Sequence, residues 1–145
     1  MVPIKTVLAA EDDDGDATLL RLAFRRAEIA HPLTIVRDGQ EAIDYLSGAA
    51  PFVDRSKFPM PALVLLDLKM PRLNGFDVLD WWSKNTALRD LPLVVLSSSS
   101  HDSDIVKAKA MGAREYIVKP HGFSQLAKLM RELCKRWLPS PPVCR

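Results

Sequence analysis

Two stretches of this chain are apolar without a break, residues 62–67 ("ALVLLD") and 91–97 ("LPLVVLS"). A strand with one face in water alternates apolar and polar side chains, so uninterrupted runs of this length belong to strands covered on both faces. Shorter runs of the same kind occupy residues 4–10, 33–37 and 114–119. Between them the spacing becomes helical. Residues 16–29 put Leu19, Leu20, Ala23, Phe24 and Ala27 on one face, and residues 38–46 do the same with Ala42, Ile43 and Leu46. Further helices are expected over 76–85 and over 102–112, where Gly112 closes the helix as a left-handed cap. The last, over 123–137, carries a stripe of Phe123, Leu126, Leu129, Met130, Leu133 and Trp137.

Five strands alternating with five helices define an α/β protein with a parallel sheet sandwiched between helices. Right-handed crossovers leave few topologies, and at this size the expected one is the doubly wound, flavodoxin-like (βα)5 sandwich with strand order 2-1-3-4-5. With 145 residues, 48% of them hydrophobic, one domain over residues 1–138 is expected, followed by a loose Pro-rich tail over 139–145. Residues 47–61 form a long connection, of a length that is usually functional or mobile.

The net charge is +2, which gives no electrostatic reason to expect nucleic acid or a membrane as partner. The two cysteines, Cys134 and Cys144, do not make a disulfide framework. There is no signal-peptide pattern and no apolar run long enough for a membrane span, so a cytoplasmic protein is expected.

In open parallel sheets, ligands bind beyond the carboxyl ends of the strands where the strand order reverses. In this order Glu11 and Asp12 end the first strand, Asp67 the third, Ser97 the fourth, and Lys119, followed by Pro120, the fifth. Each has a bland explanation on its own. Acid before a helix commonly caps it and complements its dipole, which is the role expected of Asp13 or Asp14 and of Asp16. A serine run is usually a turn, and a Lys-Pro pair a loop. Together they place carboxylates, a hydroxyl and an ammonium around one crevice. Such carboxylates suit Mg2+, which takes hard oxygen ligands and keeps several waters. Lys119 and Ser97 could then meet phosphoryl oxygens, with Asp67 as nucleophile forming an aspartyl phosphate.

The segments "VLAAEDD", "LVLLDLKMPRLNGFDVL", "LPLVVLSSS" and "GAREYIVKP" resemble the receiver domain of two-component response regulators over nearly the whole chain. The sharpest piece is D-x-x-M-P-x-x-x-G, from Asp67 to Gly75. The chain looks most like stand-alone regulators partnered with bacterial phytochromes. The resemblance implies that a histidine kinase phosphorylates Asp67 in a Mg2+-dependent reaction. Asp12 would bind the ion directly, Glu11 through a water, and Lys69 through its backbone carbonyl. Ser97 and Lys119 would contact the phosphoryl group, with a cis bond between Lys119 and Pro120. Ser97 and Tyr116 would form a switch that reshapes the surface of helix four, strand five and helix five. Output would run to a protein target, a histidine phosphotransfer protein or a homodimer.

The chain departs from the commonest pattern in having Ser97 rather than Thr, Ala10 before the acid pair, Lys69, and His121 after Lys-Pro. Ala10 leaves both Asp12 and Asp13 as candidates for the direct ligand. Two rivals are weaker. A haloacid-dehalogenase-type phosphatase needs an Asp where Lys69 stands. A flavodoxin-like cofactor binder would carry a Ser/Thr/Gly phosphate loop after strand one, where this chain has acid. Elsewhere, Trp82 is expected inside and Trp81 more exposed, with Phe52 and Phe58 either docking a partner or pinning the long loop. Arg131, Lys135 and Arg136 are expected as a solvated basic face. His31, His101 and His121 share no metal-ligand spacing.

Overall fold

The computed structural model describes residues 5–138; the tail expected over 139–145, with Cys144, lies outside the described residues. The elements are β1 Val7–Ala10, α1 Asp14–Arg26, β2 Leu33–Val36, α2 Gly39–Ser47, β3 Leu63–Leu66, α3 Gly75–Lys84, β4 Leu93–Ser97, α4 Asp102–Ala110, β5 Glu115–Val118 and α5 Phe123–Trp137. One 3-10 turn, Thr86–Leu88, follows α3. The sheet runs β2-β1-β3-β4-β5 and every pairing is parallel. The expected topology is therefore the observed one.

Strand geometry divides the core in two, because successive side chains point to opposite faces. Leu8, Ala10, Val64, Leu66 and Val95 face α2, α3 and the 3-10 turn, together with Val78, Leu79 and Trp82. Val7, Ala9, Leu65, Val94 and Leu96 face α1 and α5, where they meet Leu20, Phe24, Met130 and Leu133. β1, β3 and β4 are buried throughout, whereas the edge strands β2 and β5 are only partly so. That difference explains why the central runs are the more uniformly apolar.

Helix ends follow local chemistry. The Asp13 side chain accepts from the Asp16 N–H at 2.8 Å, making Asp13 the cap of α1. Asp38 caps α2, and Asn74 with Asp77 forms a reciprocal capping box on α3. α4 ends as expected at Gly112 (φ 106°), with Ala113 N–H donating to Ala108 C=O and Gly112 N–H to Lys109 C=O.

Several expectations change. Leu19 is 44% exposed and Ala17 is buried in its place. On α5 the fully buried line is Ala127, Met130, Leu133 and Cys134, with the larger Phe123, Leu126, Leu129 and Trp137 flanking it. α1 and α5 pack against each other, and Ala23, Ala27, Ala127, Met130 and Leu133 are buried in one cluster there. α4 buries only Ala108 and has no apolar stripe. The Lys119–Pro120 bond, expected cis, is trans; among the described residues the cis bond is Ala50–Pro51. Trans is the more stable isomer before proline by about 0.5–1 kcal/mol, and Lys119 reaches its partners with the trans bond in place.

Residues 47–61 are pinned rather than free. The rings of Tyr45, Phe52 and Phe58 form a cluster with centroids 5.0–6.1 Å apart. Tyr45 Oη donates to Pro59 C=O, and the Arg55 guanidinium donates to the carbonyls of Tyr45, Leu46 and Phe58. Arg55 thereby gives the Leu46 carbonyl at the end of α2 a donor, and the Tyr45 carbonyl a second one beside the Gly48 N–H. Trp82 is buried and Trp81 half-buried, as the helical spacing required.

Candidate functional site

The carboxyl ends of β1, β3 and β5 converge on one ammonium. Lys119 Nζ lies 2.5 Å from Glu11 Oε1, 2.9 Å from Asp16 Oδ2 and 3.1 Å from Asp67 Oδ2. Glu11 and Asp67 are buried, with residue exposures of 5% and 7%. A buried charge is tolerated only where it is paired, and here one cation answers both. Burial drives the Glu11 carboxyl up from 4.5 to about 7; contact with Lys119 and the Asp13 N–H opposes this, and the Asp67 charge adds to it. Burial acts against the Lys119 ammonium too, but hydrogen bonds to Glu11 and Asp16 and the nearby carboxylate charges outweigh it. Its pKa therefore lies above the ordinary lysine value. Both partners move upward, Glu11 because it is buried and Lys119 because it is surrounded by acid.

The loop after β3 fixes Asp67. Lys69 N–H donates to Asp67 Oδ1 at 3.2 Å, so the two carboxylate oxygens have separate partners. Gly75, the first residue of α3, donates its N–H to Leu68 C=O at 2.9 Å. A Cβ at Gly75 would stand 2.4 Å from the Asp67 carbonyl oxygen. The glycine that ends the D-x-x-M-P-x-x-x-G run is thus required by the closeness of α3 to the backbone of Asp67. Arg72, at φ 64°, grips Asp38 with two hydrogen bonds of 2.9 and 3.0 Å and ties this loop to the start of α2.

Glu11, Asp12 and Asp67 each bring one carboxylate oxygen to within 4.8 Å of the others. Glu11 and Asp67 are buried and Asp12 is exposed. The set is all hard oxygen with one side open to water, which fits Mg2+. Asp13, the other candidate for direct ligand, commits its carboxylate to capping α1.

Ser97 is fully buried at the end of β4, and its Oγ accepts from the Ser99 N–H at 3.2 Å. Tyr116 Oη donates to the Ser99 carbonyl at 2.8 Å, and Ser99 Oγ donates to Asp104 Oδ2 at 2.6 Å. One residue therefore joins Ser97, Tyr116 and the first turn of α4. Sequence reading passed over both Ser99, which looked like one of a run of serines, and the contact of Asp16 with Lys119. His31, by contrast, only contacts the Lys5 carbonyl, far from the acid cluster.

The family model described as the response regulator receiver domain matches residues 7–131. Among curated relatives, the probable methanogenesis regulatory protein FilR2 of Methanothrix harundinacea is 33% identical, over 91% of this chain and 83% of its own length. The structure of response regulator RPA3017, in red light signaling of R. palustris, superposes with a TM-score of 0.88 at 37% identity, covering 97% of this chain and 99% of that one. The phosphorylated cyanobacterial phytochrome response regulator RcpA gives 0.85 at 31% identity, over 94% and 95% of the two chains. With the predicted topology in place and Asp67 buried beside Lys119 and two further carboxylates, this chain belongs to the response regulator receiver domain family.

Proposed function

We propose that the protein takes a phosphoryl group from the phosphohistidine of a histidine kinase onto Asp67. The observation that carries this is the paired environment of one buried carboxylate: Asp67 Oδ1 faces the Lys69 N–H and Oδ2 faces Lys119. In the transfer, a carboxylate oxygen of Asp67 attacks phosphorus, a P–O bond forms, and the P–N bond to the kinase imidazole breaks. Hydrogen bonds from the Lys69 N–H and the Lys119 ammonium hold the Asp67 carboxylate in place. Lys119 offsets charge that builds on the phosphoryl oxygens, and the Ser97 hydroxyl donates to the same group. Glu11, Asp12, Asp67 and the Lys69 carbonyl would hold Mg2+, which supplies further charge neutralisation when bound.

Phosphorylation would draw on Ser97, and Ser99 would pass the change to Tyr116 and to the α4–β5–α5 face. The relation to RPA3017 and RcpA supports a kinase of bacterial phytochrome type as the donor. The receiver then acts as a cytoplasmic signalling phosphoacceptor rather than a turnover enzyme, and its output runs to a protein target, a histidine phosphotransfer protein or a homodimer. The exposed Lys69 side chain, where a phosphatase would carry its acidic group, agrees with this.

Incubation with acetyl phosphate and Mg2+ should add one acid-stable, base-labile phosphate per chain. Asp67→Asn should abolish it and chelation of Mg2+ should suppress it. Stoichiometric labelling of the Asn variant sinks the assignment, and turnover of many donor equivalents would favour the phosphatase.

A further inference from the structure

We propose that Asp16 is a positioning residue, which holds the Lys119 ammonium in the unphosphorylated protein and competes for it with a phosphoryl group on Asp67. The inference rests on the function proposed above. An ammonium has three donors, and those of Lys119 face Glu11, Asp16 and Asp67 at 2.5–3.1 Å. None is free, so a phosphoryl oxygen can be met only if one carboxylate lets go.

The three are not equivalent. The Glu11 side chain is 7% exposed, and releasing it would strand a buried carboxylate. Asp67 is the group that carries the phosphoryl. The Asp16 side chain is 45% exposed. It borders a groove of about 280 Å3 that also reaches Glu11 and Lys119 and is walled by Leu19, Val118 and Leu126. Water can replace Lys119 on Asp16 at little cost.

Asp16 also lies in the first turn of α1, where its charge complements the helix dipole, but that duty needs no particular partner. The α1 cap belongs to Asp13, and the acidic trio comprises Glu11, Asp12 and Asp67. Among the described residues its sole hydrogen-bond partner is Lys119. Asp16 is therefore the contact that yields when Lys119 turns to the phosphoryl group, and it sets how readily Lys119 does so.

The test titrates the protein with beryllium trifluoride, a tetrahedral mimic of the phosphoryl group, at saturating Mg2+, with binding read by 19F NMR. Asp16→Asn and Asp16→Ala should both bind it more tightly, by roughly two- to fivefold, the range of a half-exposed ion pair. Asp14→Asn, which removes a neighbouring charge that does not touch Lys119, should bind as wild type does. Unchanged or weaker binding by both Asp16 variants overturns the proposal, and so does an equal gain in Asp14→Asn, which would mark a general charge effect. Failure of the wild-type protein to bind the mimic would instead count against Asp67 as phosphoacceptor.

Discussion

Gly75→Ala tests whether α3 is pressed onto the phosphorylation loop as tightly as the structure shows, because two effects of opposite sign meet at that residue. Gly75 opens α3, and in a helix alanine is favoured over glycine by about 0.8–1 kcal/mol. On propensity alone the substitution should stabilise. A Cβ there would lie 2.4 Å from the Asp67 carbonyl oxygen, 2.6 Å from Leu68 Cα and 3.0 Å from the Asp67 carbonyl carbon. All three are backbone atoms of a segment held between β3 and α3, so no rotamer change relieves the contact. Overpacking of this kind costs about 1–3 kcal/mol, and a clash against backbone belongs at the upper end. The net expectation is a loss of about 1–2 kcal/mol, the overpacking cost less the propensity gain. Gly15, in the first turn of α1, is the internal control: a Cβ there meets only the Asp13 side-chain oxygen, at 3.1 Å. Gly15→Ala should leave stability unchanged or raise it by less than about 1 kcal/mol. The assay is urea unfolding, where 2 kcal/mol moves the midpoint by about 1 M at a typical slope. Phosphorylation by acetyl phosphate should fall in the Gly75 variant as well, since the displaced atoms belong to Asp67. A Gly75→Ala protein as stable as wild type would refute the argument.

Replacing Lys119 by Met strands Glu11 and Asp67 as buried carboxylates, and should cost about 3–5 kcal/mol in urea unfolding without divalent cation. The same variant should bind Mg2+ more tightly than wild type in calorimetric titration, because the competing cation has gone; weaker binding would contradict the shared use of these carboxylates. Burial pushes the Cys134 thiol from 9.0 to about 11. At pH 8, a Cys144→Ser protein should label at Cys134 with a disulfide reagent only slowly until it is unfolded. Because the folded thiol keeps its proton where the unfolded one loses it, the Cys134 contribution to stability should fall as pH rises from about 9 through 11, and Cys134→Ala should flatten that part of the unfolding profile.

The architecture was legible because it depends on near neighbours in sequence. The limits of α5 were read correctly from 123 to 137. The strand order followed from the alternation of elements and the handedness of crossovers. Asp67, Glu11, Asp12 and Lys119 could be gathered without coordinates because each closes a strand, and a parallel sheet brings strand ends to one edge. Gly112 was recognisable as a helix cap, since that conformation is a local demand of the chain.

Side-chain partners across the molecule were not legible. Asp16 lies 103 residues from Lys119, and Asp38 lies 34 from Arg72; nothing in either local pattern announces the pair. Ser99 gives no sign in the sequence that it joins Ser97 to Tyr116. The aromatic residues of the long loop could have docked a partner or pinned the loop, and only the packing of Phe52 and Phe58 on Tyr45 decides for the second. Periodicity and strand-end position are properties of a few consecutive residues, so the sequence alone determined the fold and the gathering of Glu11, Asp12, Asp67 and Lys119 at one edge of the sheet. Which carboxylate meets which cation depends on register, helix placement and burial together, and these exist only once the chain has folded.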